Sequence, residues 1–261
     1  MTASMATPRK LVIFAGGKGT RLSELTSSVP KPAIDVLGRP LVSYLCDWAF
    51  AAGLDTVIIA AGYKQRELKR RMVDYYELAG DVSIGSERVT FGESRIPPGC
   101  AIVVRDTGGE ADTAERLYAV RDLLGADETF MVTYGDTLTD LDAKRLFAAA
   151  AQADRTITMC VGRPDGRYGE IVLSGGLVQS FREKERPQFY VNRGFFVVKR
   201  GIFDQWKADY LSFEKQVLPD FAARRDVSAH CEDCWFHSVD SLKDVEDLER
   251  HLAITKPFGV M

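Results

Sequence analysis

The chain has 261 residues, 46% hydrophobic and 27% charged, with a formal charge of -3, which is the length of one large α/β domain and the composition of a soluble globular protein. The slightly acidic balance, without a basic run, speaks against nucleic acid as a main partner, and no apolar run reaches the ~18 residues of a membrane span. Residues 1–10 are polar with no apolar segment, so no signal peptide is expected, and five scattered cysteines, an odd number, fit reduced thiols in the cytoplasm.

In chain order, Leu11-Val12-Ile13-Phe14-Ala15 is predicted to be a buried parallel strand, apolar throughout and partly β-branched. It runs into Gly16-Gly17-Lys18-Gly19-Thr20-Arg21-Leu22. Glycines reach positive φ and let backbone N–H groups approach a ligand closely. A turn of this kind after the first strand is where open α/β sheets bind nucleotides. The Walker pattern does not fit, because the lysine precedes its glycine. The dinucleotide fingerprint fails as well, because Leu22 stands where a third small residue belongs. N–H groups combined with the cations Lys18 and Arg21 suit a triphosphate; an ordinary strand-to-helix turn with surface charges is the alternative.

Residues 40–53 are predicted to be helical, with Pro40 in the first turn and Gly53 as the stop. A second buried strand covers 56–61, and a charged, solvent-facing helix covers 65–78. The polar stretch 80–99 is long for a connection, which predicts a short hairpin or a binding loop. A strand at 100–105, a turn at 106–109, a helix at 113–124 and a strand at 129–134 follow, closing on Gly135-Asp136. This alternation predicts a parallel sheet with crossover helices. After a helix at 141–152 the pattern turns to strands at 156–161, 170–173, 177–181 and 189–199. Gly175-Gly176 joins two of them as a tight hairpin, and an amphipathic helix closes at 242–252. No repeat or linker is visible. One domain is expected, with a nucleotide half at about 9–150 and a mixed-sheet half at about 151–261.

Asp136 ends a buried strand, where a carboxylate can hold Mg²⁺ beside phosphate oxygens. Such an aspartate also serves as a helix N-cap, and Asp140, directly before Leu141, is the better placed for that. His230, Cys231, Cys234 and His237 offer four nitrogen and sulfur ligands of the types zinc takes. A lone Cys-x-x-Cys is weak, and this one leads into a strand toward Asp240, so a plain strand and hairpin is the expectation.

Gly16-Gly17-Lys18-Gly19-Thr20-Arg21-Leu22, followed by Pro30-Lys31-Pro32, resembles the signature of the sugar-1-phosphate nucleotidyltransferases, and the likeness runs along nearly the whole chain. Thr133-Tyr134-Gly135-Asp136, Asp140-Leu141-Asp142 and Asp106-Thr107-Gly108 are similar to the glucose-1-phosphate cytidylyltransferase branch. The resemblance implies a Rossmann-like, mostly parallel sheet flanked by helices, with a small mixed β substrate region. It also implies transfer of a nucleotidyl group, CMP from CTP in this branch, to a sugar 1-phosphate. The products are an NDP-sugar and pyrophosphate, and Mg²⁺ is the cofactor. A phosphate monoester is already ionised near neutral pH, its second pKa being ~6. Cations and geometry are therefore needed rather than a nucleophilic side chain.

On this resemblance Arg21, Lys31 and Asp136 are catalytic, and Asp136 and Asp240 hold the metal. Phe14, Ala15, Gly16, Gly17, Lys18, Gly19, Thr20, Arg21 and Gly135 contact the nucleotide, with Thr113 and Arg116 meeting its base. Lys31, Tyr168, Gly169, Glu183, Lys184 and Asn192 take the sugar phosphate. Read alone, Lys31 is a solvated loop lysine; with Arg21 upstream the phosphate role is favoured. Ala114-Glu115 replaces the branch's Gly-Gly, which keeps UTP, TTP and GTP open. Glu185 replaces a proline and Arg193 a glycine, which implies a sugar other than unmodified glucose. A non-catalytic NDP-sugar-binding regulatory relative would have lost Arg21, Lys31 or Asp136, and all three are present. A homo-oligomer is expected.

Overall fold

The computed structural model describes residues 7–17, 29–84, 86–164, 169–183 and 189–255. The first half contains β1 (Lys10–Ala15), β2 (Asp35–Val36), β3 (Arg39–Pro40), α1 (Leu41–Ala51), β4 (Thr56–Ala61), α2 (Gln65–Glu77) and the hairpin β5 (Val82–Ile84) and β6 (Val89–Phe91). β7 (Ala101–Asp106), α3 (Thr113–Ala119), β8 (Thr129–Tyr134), β9 (Thr137–Thr139) and α4 (Ala143–Ala153) follow. The rest comprises β10 (Ile157–Gly162), the hairpin β11 (Glu170–Ser174) and β12 (Leu177–Arg182), β13 (Val191–Lys199), α5 (Leu218–Ala223), β14 (Val227–Cys231), β15 (Phe236–Ser238) and α6 (Leu242–Thr255).

Seven strands form one sheet in the order β14-β10-β13-β8-β1-β4-β7. β13 runs antiparallel to both of its neighbours, and every other pairing is parallel. Both faces are covered, which is why β1 is apolar at consecutive positions instead of alternate ones. Leu11, Ile13 and Ala15 face a core shared with α1, α2, α4 and α6. Val12 and Phe14 face a second core with Phe130, Val132, Phe196 and Phe213. The two-residue period of the strand sends alternate side chains to opposite layers.

The predicted parallel sheet stands, and residues 80–99 do hold a hairpin, β5–β6. Gly175 and Gly176 take φ of 57° and 80°, the paired positive values of a tight hairpin turn. Three expectations change. The helix expected at 113–124 ends at Ala119 and gives way to a 3-10 turn, Arg121–Leu124. α2 is not wholly solvent-facing, since Leu68, Met72 and Tyr76 are buried. α4 begins at Ala143 and is capped by Asp142, which accepts from the Lys144 N–H, while Asp140 accepts from the Trp235 N–H. Among the described residues no helix is long and apolar enough to cross a membrane.

Candidate active site

The carboxyl ends of β1 and β8, neighbours in the sheet, meet the turn that carries Lys31. That 3-10 turn, Lys31–Ala33, is entered through Pro30 and contains Pro32, so two fixed φ angles set its backbone. The Gly135 N–H donates to the Phe14 carbonyl at 2.9 Å. A Cβ on Gly135 would lie 3.1 Å from both that oxygen and the Pro32 ring, a tight fit that its absence relieves at the end of β8. Asp136 therefore emerges against Lys31. β15 pairs with β9, Ser238 opposite Thr137, and the Val239 N–H donates to the Asp136 carbonyl at 3.0 Å. This short pairing carries Asp240 to the same place.

Lys31 Nζ donates to Asp136 Oδ2 at 2.7 Å and to Asp240 Oδ1 at 2.9 Å. Burial pulls the Lys31 pKa down, but the two carboxylates, Asp136 first, outweigh it and hold the pKa above the ordinary lysine value. Neither aspartate is spent as a helix cap. The Asp244 N–H at the start of α6 donates to Ser241 Oγ, and α4 uses Asp142. A cavity of about 150 Å³ opens beside the pair, lined by Phe14, Ala15, Gly17, Lys31, Pro32, Gly135 and Asp136.

Arg116, expected to meet the base, has its guanidinium on the main chain. Its guanidinium is buried and donates to the carbonyls of Gly16 (3.1 Å), Ala61 (3.4 Å) and Gly108 (2.9 Å) and to Thr107 Oγ1 (2.6 Å). A Cβ on Gly16 would fall 1.9 Å from Arg116 Cζ, and one on Gly62 would fall 2.3 Å from Nη1. Those glycines make room for an arginine that ties β1, β4 and α3 together beneath the turn. Ala114 is buried in the core, and Glu115 closes a capping box with Asp112. The two side chains that stand in place of the branch's Gly-Gly are thus committed to the core and to the helix cap.

Thr113, the first residue of α3, meets a group that sequence reasoning missed. Glu214 sits in the π-helical turn Phe213–Val217 and accepts from Thr113 Oγ1 at 2.7 Å and from the Tyr134 hydroxyl at 2.6 Å. Burial, and after it the Glu214 charge, pushes the Tyr134 phenol well above its usual pKa, and the Asn192 side chain also hydrogen-bonds to it. The available signal was a single carboxylate between Phe213 and Val217, both fully buried.

Gly169 and Glu183 stand at the foot of the β11–β12 hairpin, where a Cβ on Gly169 would meet the Phe181 ring at 2.6 Å. Lys18, Gly19, Thr20, Arg21, Tyr168 and Lys184 lie outside the described residues. The four candidate zinc ligands do not converge. His230 pairs with Glu232, His237 reaches the Asp244 carbonyl, Cys234 accepts from Thr139 Oγ1, and Cys231 is exposed. Among the described residues no three His, Cys, Asp or Glu side chains are grouped to hold a metal ion.

The family model described as nucleotidyl transferase matches residues 10–233. The chain belongs to the nucleotidyl transferase family. The glucose-1-phosphate cytidylyltransferase of Salmonella typhi is 32% identical over 243 residues, covering 92% of this chain and 94% of its own. Two solved structures share the nucleotidyl transferase fold seen here. HddC from Yersinia pseudotuberculosis, also solved complexed with GMP-PN, superposes with a TM-score of 0.68 at 21% identity, covering 94% of this chain and 99% of its own. The inositol-1-phosphate CTP transferase from T. maritima reaches a TM-score of 0.65 at 16% identity, covering 96% and 98%.

Proposed function

We propose that this chain transfers CMP from CTP to a sugar 1-phosphate, giving a CDP-sugar and pyrophosphate, with Mg²⁺ as cofactor, in the cytoplasm. The reading rests above all on Lys31 bridging Asp136 and Asp240 at the edge of the opening glycine turn, in a chain 32% identical to a glucose-1-phosphate cytidylyltransferase. An oxygen of the sugar phosphate attacks the α-phosphorus as the bond to the β-phosphate oxygen breaks. The attacking oxygen needs no base, since the monoester is already ionised. What the chain supplies is alignment and positive charge. An ammonium carries three N–H donors, and Lys31 uses two on the aspartates, which leaves one for a phosphate oxygen.

The hard carboxylate oxygens of Asp136 and Asp240 converge on one cation, here the lysine, and this donor set fits Mg²⁺, which takes one or two protein carboxylates. Bound there, the ion would neutralise charge on the phosphates. The sugar is proposed to differ from plain glucose, because Arg193, the residue after Asn192 on β13, packs across Gly162 and over the Phe236 ring. Pyrophosphate release from each of the four NTPs with a panel of sugar 1-phosphates tests the proposal. CTP with a sugar other than glucose is the expected best pair. Preference for another NTP would replace the base, and a clear preference for glucose 1-phosphate would remove the sugar reading.

A further inference from the structure

Three hydroxyls converge on one carboxylate beside the segment expected to meet the base. Glu214 Oε2 accepts from Thr113 Oγ1 at 2.7 Å and from Ser212 Oγ at 3.1 Å, and Oε1 accepts from the Tyr134 hydroxyl at 2.6 Å. Among the described residues these hydroxyls are its side-chain partners, and no cation pairs with it. A carboxylate only accepts hydrogen bonds, and a hydroxyl has a single proton and two lone pairs. Each of the three hydroxyls must therefore spend its proton on Glu214. Thr113 Oγ1 also accepts from the Phe213 N–H at 2.8 Å. Its proton and one lone pair are committed, and what remains to offer a ligand is an acceptor. One turn along the same helix, Arg116 is bonded to the Gly16 carbonyl, so this end of α3 is tied to the glycine turn.

We propose that Glu214 is a positioning residue that fixes the polarity of the Thr113 hydroxyl and thereby selects the base. The selected base presents an N–H donor at that edge, as the 4-amino group of cytosine does. Uracil and thymine place a carbonyl there, and two acceptors would face each other unpaired. Sites that hydrogen-bond a substrate group discriminate strongly against an analogue that leaves a buried polar group without its partner. This inference rests on the nucleotidyl-transfer reading above.

The test is the ratio of kcat/KM for CTP to that for UTP. Wild type is expected to favour CTP. Glu214→Ala releases the Thr113 proton and should lower the ratio by about tenfold or more, and Glu214→Leu, which keeps much of the side-chain volume but no acceptor, should act in the same direction should the alanine variant fail to fold. Thr113→Val removes the group being oriented, so adding Glu214→Ala to it should change the ratio by less than about twofold. A merely structural role would lower kcat/KM for both nucleotides alike. An unchanged ratio in the Glu214 variants overturns the inference, as does an undiminished effect of Glu214→Ala in the Thr113→Val background. An active wild type without preference for CTP over UTP overturns this inference alone, whereas a wild type inert with every NTP removes the underlying reading with it.

Discussion

At Lys31 one positive charge meets two carboxylates, at 2.7 and 2.9 Å, and the arrangement explains why a lysine sits between two prolines. Removing the charge of one aspartate leaves the backbone pairing of β9 with β15 untouched, because that pairing is made by main-chain groups. Asp136→Asn should accordingly keep its fold by circular dichroism while kcat falls ~10²-fold or more, the scale of losing one preorganised charge interaction. Near-normal turnover would contradict the assignment. The raised Lys31 pKa sets the sign of a pH effect. Its ion pairs stabilise the fold fully below the unfolded lysine value of about 10.4 and are lost only as pH rises through the folded value. The stability difference between wild type and Lys31→Met, read from urea midpoints, should stay flat from about pH 7 to about 9 and shrink above about 10.5. A difference already shrinking near neutrality would contradict the raised pKa.

Among the elements, α3 shows how a residue read as a ligand contact becomes a strut. Arg116 lies one helical turn beyond Asp112 and points inward. Strand ends, a glycine turn and a helix would otherwise leave buried carbonyls unpaired there, and five fixed N–H donors suit that task. Arg116→Met should destabilise the protein by about 3 kcal/mol in urea unfolding, since several buried acceptors lose their donor at ~1–3 kcal/mol each for those that water cannot reach. A loss below about 1 kcal/mol would mean those carbonyls find other partners. The sequence carried the helix itself, expected over 113–124. It could not carry the inward turn of Arg116, because an arginine in a glycine-rich segment has the same local pattern whether its acceptors are a base or the main chain.

On the scale of the whole molecule, the candidate site joins parts of the chain far apart in sequence, β1, the Lys31 turn, the end of β8 and the segment after β15. A ligand that binds across such a joint stabilises the folded state by mass action, about 2.7 kcal/mol at a hundredfold excess over Kd. For a chain of this size CTP with Mg²⁺ should raise Tm by roughly 5–10 °C. A matching shift from UTP at equal saturation would argue against base selection in the binding step.

By itself the sequence determined the mostly parallel sheet with helices on both faces and the Gly175-Gly176 hairpin, and it marked Lys31 and Asp136 as candidates. All of these rest on local periodicity, on glycine and proline geometry, or on a resemblance carried by contiguous residues. Only the tertiary structure decided the rest: that Asp240 reaches Lys31 through β9–β15 pairing, that Arg116 faces the main chain, and that Glu214 holds Thr113 and Tyr134. These outcomes depend on which groups satisfy one another across 80 to 209 residues. Hydrogen-bond partnership at that range leaves no periodic trace in the chain, because any donor fits any acceptor until the fold brings them together.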